Sequence, residues 1–349
     1  MHGSRRPAGL VGPLPIVPDP TKHSVRLRAR AGARRALTPD PSTQQQGVCT
    51  MRKLMIGLAA LAIIAAACAP EDDTPAASDT SGAAPATAAE CAQGVDIPLT
   101  TEGALTIGTG NPAYGPWYGG KSVPDSEWES SPYTGDPHTG EGYESAFAYA
   151  LADTMGFSDD EVEWVGIPFA KSFAPGPRDF DFAMQQISYS DKRAEAVDFS
   201  DGYFDVSQAL IANDGSPAIG VTTLDGLKDL KLGAPIGTTS LQAIEELVQP
   251  NVEPSVYDDL DLALKDLKNG QIDGVVVDYP TAFYGYADVV VGQFPPVGGE
   301  QEYFGVTFEK GNPLVECVNL GIAELEADGT LQKLQDKWLT TDVDVPVFS

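Results

Sequence analysis

Histidine, cationic side chains and long apolar runs are all scarce in this 349-residue chain, and each scarcity closes off a class of function. Lys and Arg total 22 against 50 Asp and Glu, a formal net charge of −28. Such a surface repels phosphate backbones, so nucleic acid is not expected as a partner. The few cations are also unevenly spread: eight fall in residues 1–50, leaving 14 against 48 acidic residues thereafter. The apolar stretch Leu54–Ala67 holds 14 residues, short of the roughly 20 that a membrane-spanning helix needs. Composition is otherwise that of a globular protein, 42% apolar and 21% charged, and the length gives room for one or two domains with their own cores.

That 14-residue stretch follows two positive charges in Met51-Arg52-Lys53, so residues 51–67 fit a signal peptide. The stretch closes on Ile64-Ala65-Ala66-Ala67-Cys68, and small residues before a Cys resemble a bacterial lipobox, with Cys68 as the lipidated new N-terminus. Ala65 stands where a lipobox usually carries Leu, and a buried apolar helix ending in an ordinary Cys is the alternative. Residues 68–90 are rich in Ala, Ser, Thr and Pro and read as a flexible, lipid-anchored linker. Residues 1–50, rich in Arg and Pro, read as upstream of the true start, with a transit peptide as the alternative. The expected location is the extracytoplasmic face of the plasma membrane, in the cell envelope.

Four cysteines are present, and Cys49 and Cys68 precede the expected domain. In an oxidising exterior the remaining two, Cys91 and Cys317 at opposite ends of that domain, read as a disulfide. Of His2, His23 and His138, only His138 follows the signal. One His and two paired Cys are too few for a zinc site. A Ser-His-Asp triad would need His138, which lies in a Gly- and Pro-rich stretch. Neither a metal nor a cofactor is expected.

From Ala104 onward short apolar runs alternate with helical periods. Leu105–Gly108, Val162–Val165, Phe182–Met184 and Tyr203–Ala212 read as strands, and Tyr143, Phe147, Leu151 and Met155 mark one face of a helix. The pattern repeats through Lys231–Ala234, a helix over Thr239–Val248, another over Leu260–Leu267, and the strand Asp273–Val277. That last strand is almost wholly apolar, as expected for one buried on both faces. Tyr303–Phe308 follows, then a helix opened by Asn312-Pro313, broken at Gly329 and resumed to Trp338. Strand–helix alternation argues for an α/β fold, in which ligands settle at the carboxyl ends of strands.

Several segments in this order resemble the solute-binding proteins of bacterial ABC importers (family 3, polar amino-acid type). They are Gly108–Trp117, Gly142-Tyr143-Glu144, Ser190–Arg193, Val197–Ser200, Gly237-Thr238-Thr239, Asp273–Asp278 and Ala327–Trp338, so the resemblance covers about residues 103–340. It implies a two-lobed, periplasmic-binding-protein-like (type II) α/β fold with two crossover strands. Lobe 1 would comprise residues 103–208 plus 297–349, and lobe 2 residues 209–296. The implied function is to capture an amino acid, polar in type, between the lobes and deliver it to ABC permease and ATPase subunits, as a monomer tethered to the membrane by its lipid.

The residues carry a chemical argument of their own. A free amino acid presents a carboxylate and an ammonium, and both need partners once desolvated. Only Arg178 and Arg193 follow the signal among arginines. Arg193, in a capped turn, has the planar fork that clamps a carboxylate, as the matching family residue does; pairing with Asp191 or Glu195 is the alternative. Ser188 matches a position that adds a contact to the same carboxylate, unless it is a plain loop serine. Thr239-Ser240-Leu241-Gln242 has capping-box spacing, so Thr238 and Thr239 would present a helix N-terminus to an anion, or only cap it. Asp278, at the end of an apolar strand, fits the ligand ammonium or a helix N-cap. Tyr114 and Phe169 match positions whose rings sandwich the ligand side chain, with Trp117 a nearby candidate, although aromatics are more often core.

Two features depart from the family pattern. Gly110 stands where many relatives carry an Asp, while Lys171 beside Phe169 would favour an acidic or polar ligand. Gly119–Glu141 lengthens the loop between first strand and first helix, as a lid, a decoration or a transporter-contact loop. An enzyme on the same fold, similar to cyclohexadienyl dehydratase, is a competing function and would need an acid or base such as Glu144. A sensory ligand-binding subunit is another. The expected role is binding, without catalysis.

Overall fold

The structure, a computed structural model, describes residues 87–94, 97–339, 343 and 345–349. The expected signal peptide, Cys68 and all of residues 1–50 lie outside the described residues. The first described helix, α1 (Ala88–Gly94), begins inside the stretch read as linker. Ala88 and Cys91 are buried on it, and a disulfide joins Cys91 to Cys317. Residues 88–90 therefore belong to the domain rather than to the linker, because this turn is packed and bonded to the body of the domain.

The first sheet grows around β1 (Leu105–Thr109), buried at every position. A small hairpin follows, β2 (Ala113–Tyr114) with β3 (Thr134–Gly135). Helix α2 (Tyr143–Thr154) buries Tyr143, Phe147 and Leu151 on one stripe. Gly142 opens it at φ 94°, where a Cβ would lie 2.5 Å from the Trp117 carbonyl oxygen, so glycine alone fits. Strands β4 (Val162–Gly166) and β5 (Phe182–Ala183) flank β1 in parallel. After the one-turn α3 (Asp191–Ala194), β6 (Asp198–Val206) leaves this sheet, and β7 (Gln208–Ala212) enters the second with only Ser207 between them. The extended run read as one strand to Ala212 thus serves two sheets.

The second lobe continues with β8 (Leu232–Pro235), α4 (Thr239–Ala243, widened into a π-turn over Ile244–Val248), β9 (Ser255–Tyr257), α5 (Leu260–Lys268), β10 (Gly274–Asp278), α6 (Tyr279–Ala282) and β11 (Val289–Gln293). Its continuous apolar strands are buried on both faces. Ala209, Ile211, Val275 and Val277 belong to one core cluster, while Leu210, Ala212 and Val276 belong to the other. The chain then returns to the first sheet as β12 (Glu302–Phe308), and α7 (Leu314–Ala327) and α8 (Thr330–Trp338) close the first lobe.

The first sheet runs β4-β1-β5-β12-β6 and the second β11-β7-β10-β8-β9. Both are mixed, with parallel pairs at β1/β4, β1/β5, β8/β9 and β8/β10. The segments β6–β7 and β11–β12 are the two crossovers. Ser207 Oγ donates to Gln293 Oε1 at 3.1 Å, tying one crossover to the other. The grouping of 297–349 with the first lobe does not hold to the end of the chain. Leu339 packs in the first core, but Phe348 is buried in the second against Phe294, and the Phe348 N–H donates to the Gln293 carbonyl at 2.9 Å.

Candidate functional site

The carboxyl ends of six strands converge on one cleft between the lobes, of about 450 Å³. From the first lobe, β1 leads into Gly110 and Asn111, β4 into Pro168 and Phe169, and β5 into Gln185 and Ser188. From the second, β8 leads into Thr238 and Thr239, β9 into Asp258 and Asp259, and β10 ends on Asp278 itself. This is where an open α/β sheet places a ligand. Tyr114, Trp117, Phe169, Ser188, Arg193, Thr238, Thr239 and Asp278 all line this single cleft.

Arg193 is held at the cleft by packing and by carbonyls. Its guanidinium carbon lies 4.5 Å from the Phe173 ring centroid and 5.4 Å from that of Phe169. Nη1 donates to the Ser188 carbonyl at 2.5 Å and Nη2 to the Gly237 carbonyl of the other lobe at 2.8 Å. Among the described salt bridges none joins it to Asp191 or Glu195. Burial pulls its pKa down to about 10 against the opposing fields of Glu302 and Asp278, so the group is cationic at neutral pH.

Thr238, one residue earlier than the capping-box spacing indicated, caps α4. Its hydroxyl accepts from the Leu241 N–H at 3.1 Å, and Thr239 is the first helical residue. Asp278 occupies the N-cap position of α6 without capping it. Its Oδ1 instead accepts from Gln208 Nε2 at 2.9 Å. Burial first, and then the charge of Glu302, push Asp278 up to about 7, opposed by the Gln208 hydrogen bond and by Arg193. Ser188 Oγ donates to Glu302 Oε1 at 2.5 Å and lies 3.3 Å from Thr239 Oγ1, so this hydroxyl joins the two lobes.

The aromatic candidates divide. Tyr114 packs against the second-lobe core, and burial raises its hydroxyl pKa, with Asp261 and Asp259 adding to the effect. Phe169 stands beside the guanidinium. Trp117 is 1% exposed, meets Tyr143, Phe204 and Phe304 edge-on, and donates from Nε1 to Thr281 Oγ1 at 2.9 Å. It is the floor of the cleft and a bridge between lobes more than a wall beside a ligand.

Lys171 sends its ammonium to the Pro177 carbonyl, 3.4 Å away, and is not among the lining residues. At Gly110 a Cβ would lie 2.5 Å from Gln185 Nε2, so the Gln185 amide fills the space of any side chain there. Residues 119–141 pack on the first-lobe lip: Trp128 Nε1 donates to the Gly110 carbonyl at 2.7 Å, and Glu127 Oε1 accepts from the Gly166 N–H at 3.0 Å. Glu144 is fully buried, accepting from the Tyr203 hydroxyl at 2.5 Å and the Gln186 N–H at 2.8 Å. Gln208 and Glu302 were not singled out by the sequence. The only available signal was a polar residue at the mouth of an apolar strand.

Two mixed α/β lobes, a pair of crossovers and a cleft with a cation on one side and a carboxylate on the other define a two-lobed ligand-capturing protein. The model of the bacterial extracellular solute-binding proteins, family 3, matches residues 124–341, and the chain belongs to that family. The L-cystine-binding protein TcyJ of Escherichia coli (strain K12) is 33% identical over 222 residues, covering 60% of this chain and 79% of that protein. An ancestral arginine-binding protein bound to arginine superposes with a TM-score of 0.54 at 26% identity, covering 68% of this chain and 99% of that one. The ancestral amino acid-binding protein AncCDT-1, a precursor of cyclohexadienyl dehydratase, gives 0.54 at 27% identity, covering 68% and 96%.

Proposed function

We propose that this protein captures a free amino acid outside the cytoplasm and presents it to the permease and ATPase subunits of an ABC importer. The observation that carries this reading is the opposed pair in the cleft, Arg193 from the first lobe and Asp278 from the second. An α-carboxylate is matched by the guanidinium fork, with Ser188 and the α4 N-terminus at Thr238 and Thr239 beside it. An α-ammonium is matched by Asp278. Tyr114 and Phe169 supply apolar surface for the rest of the ligand, over the floor that Trp117 forms. The relatives' printed names, L-cystine-binding and arginine-binding, support an amino acid and make L-cystine the first candidate to try. We assign residues 51–67 to export and Cys68 to lipid attachment at the head of the linker. The capturing unit is a monomer without catalysis. Closure of the lobes about the crossovers is the working motion.

A thermal-shift screen of the protein against the standard amino acids and L-cystine tests this. Binding to the folded state alone stabilises by about 2.7 kcal/mol at a hundredfold excess over Kd. A shift confined to one or a few amino acids supports the reading; no shift with any of them overturns it.

A further inference from the structure

The three residues Gln208, Asp278 and Glu302 meet where the chain passes between lobes. Gln208 opens β7 just after the first crossover, Glu302 opens β12 just after the second, and Asp278 ends β10. Gln208 Nε2 lies 2.9 Å from Asp278 Oδ1 and 3.2 and 3.3 Å from the two Glu302 oxygens. Ser240 Oγ donates to Gln208 Oε1 at 2.6 Å, which fixes the amide so that its NH2 end faces the carboxylates. One uncharged NH2 group thus serves two carboxylates and neutralises neither. The cation beside them, Arg193, donates to the Ser188 and Gly237 carbonyls instead.

We propose that Asp278 holds a proton in the unliganded protein, across the Gln208 amide from Glu302, and that the ammonium group of an arriving ligand displaces this proton to solvent. A buried carboxyl with a second carboxylate on the same amide favours its neutral form, and the proton and the ligand ammonium are alternative ways to offset its charge. The groups facing Asp278 are Glu302 on β12, Glu144 on α2, Arg193 on α3 and the Gln208 amide on β7, a balance that leaves excess negative charge. The raised proton affinity of Asp278, near pH 7, agrees with this arrangement. Glu302 does not line the cleft, so it acts as a positioning residue through Gln208, Ser188 and the charge it places beside Asp278.

The ligand half rests on the amino-acid reading; the proton half does not. A carboxyl whose folded pKa is raised contributes stability that is present below its unfolded pKa of about 3.9 and lost as pH rises through the folded value. The unliganded wild-type protein therefore loses stability between about pH 4 and pH 7, and Glu302→Gln moves that loss to lower pH. With L-cystine, L-arginine and L-glutamine as probes, the dissociation constant of whichever binds falls about eightfold from pH 6 to pH 7.5, with a proton released. In Glu302→Gln the same interval changes it less, because one charge that raises Asp278 is gone. Affinity independent of pH with no proton released overturns the proposal while leaving the amino-acid reading standing. If none of the probes binds, the unliganded profile decides alone: a step that Glu302→Gln displaces supports the proposal, and superimposable profiles overturn it.

Discussion

Arg193 in the first lobe and Asp278 in the second line the same cleft, yet they are held in different ways. Arg193 stacks over Phe173 and Phe169 and gives two of its N–H groups to carbonyls, so packing fixes its place. Its charge is permanent at physiological pH. Asp278 is fixed by a single amide hydrogen bond at the end of a strand, next to a second carboxylate and beside the crossovers. Its charge depends on what surrounds it. The cleft thus pairs a cation whose charge is permanent and whose hydrogen bonds reach both lobes with a carboxylate whose charge its surroundings set.

Removing the permanent charge has the largest expected effect. Arg193→Ala removes a charged partner from a desolvated site, costing roughly 2–5 kcal/mol of amino-acid affinity. Titration calorimetry reads this, with circular dichroism showing the fold retained. A next test separates the lobe's stability from its site. Replacing both Cys91 and Cys317 by Ser opens a covalent link across 226 residues and costs about 2–5 kcal/mol of unfolding free energy. Denaturant melts measure it, and amino-acid affinity changes far less because the bond lies away from the cleft.

Gly115→Ala addresses closure alone. A Cβ at Gly115 would lie 2.1 Å from the Tyr284 ring of the other lobe, while the Tyr286 hydroxyl donates to the Gly115 carbonyl at 2.7 Å. Overpacking of this kind costs about 1–3 kcal/mol, felt in ligand dissociation rate while the stability of each lobe is kept. Thr238→Ala is the mildest, losing the α4 cap at about 1 kcal/mol, seen as a small fall in melting temperature.

The same contrast explains what the sequence revealed. Ser188 and Arg193 sit within one short segment that resembles the family, so the resemblance marked both together. Asp278 was visible as a charge ending an apolar run, and the strands of both lobes followed from their burial. Gln208 and Glu302 are 94 residues apart and meet only because Glu302 pairs with Val206 across β12 and β6. No local pattern encodes that register. Trp117 shows another limit: residue type marks an aromatic near the cleft, but only packing makes it the floor, with its indole bonded to Thr281. The stretch 119–141 has no periodicity to read, because its order comes from one buried indole, Trp128, and from hydrogen bonds to the lip. The return of Phe348 to the second lobe was equally silent in a short tail.

The account turns on a ligand held at both charged ends. The most direct measurement is calorimetric titration with the amino acid found by screening, beside its N-acetyl derivative and its carboxamide. The account predicts binding by the free amino acid and a loss of about a hundredfold or more when either end is blocked, since a buried charge is left unpaired. Equal binding of a blocked form would show that Arg193 or Asp278 does not hold that end, and would contradict it.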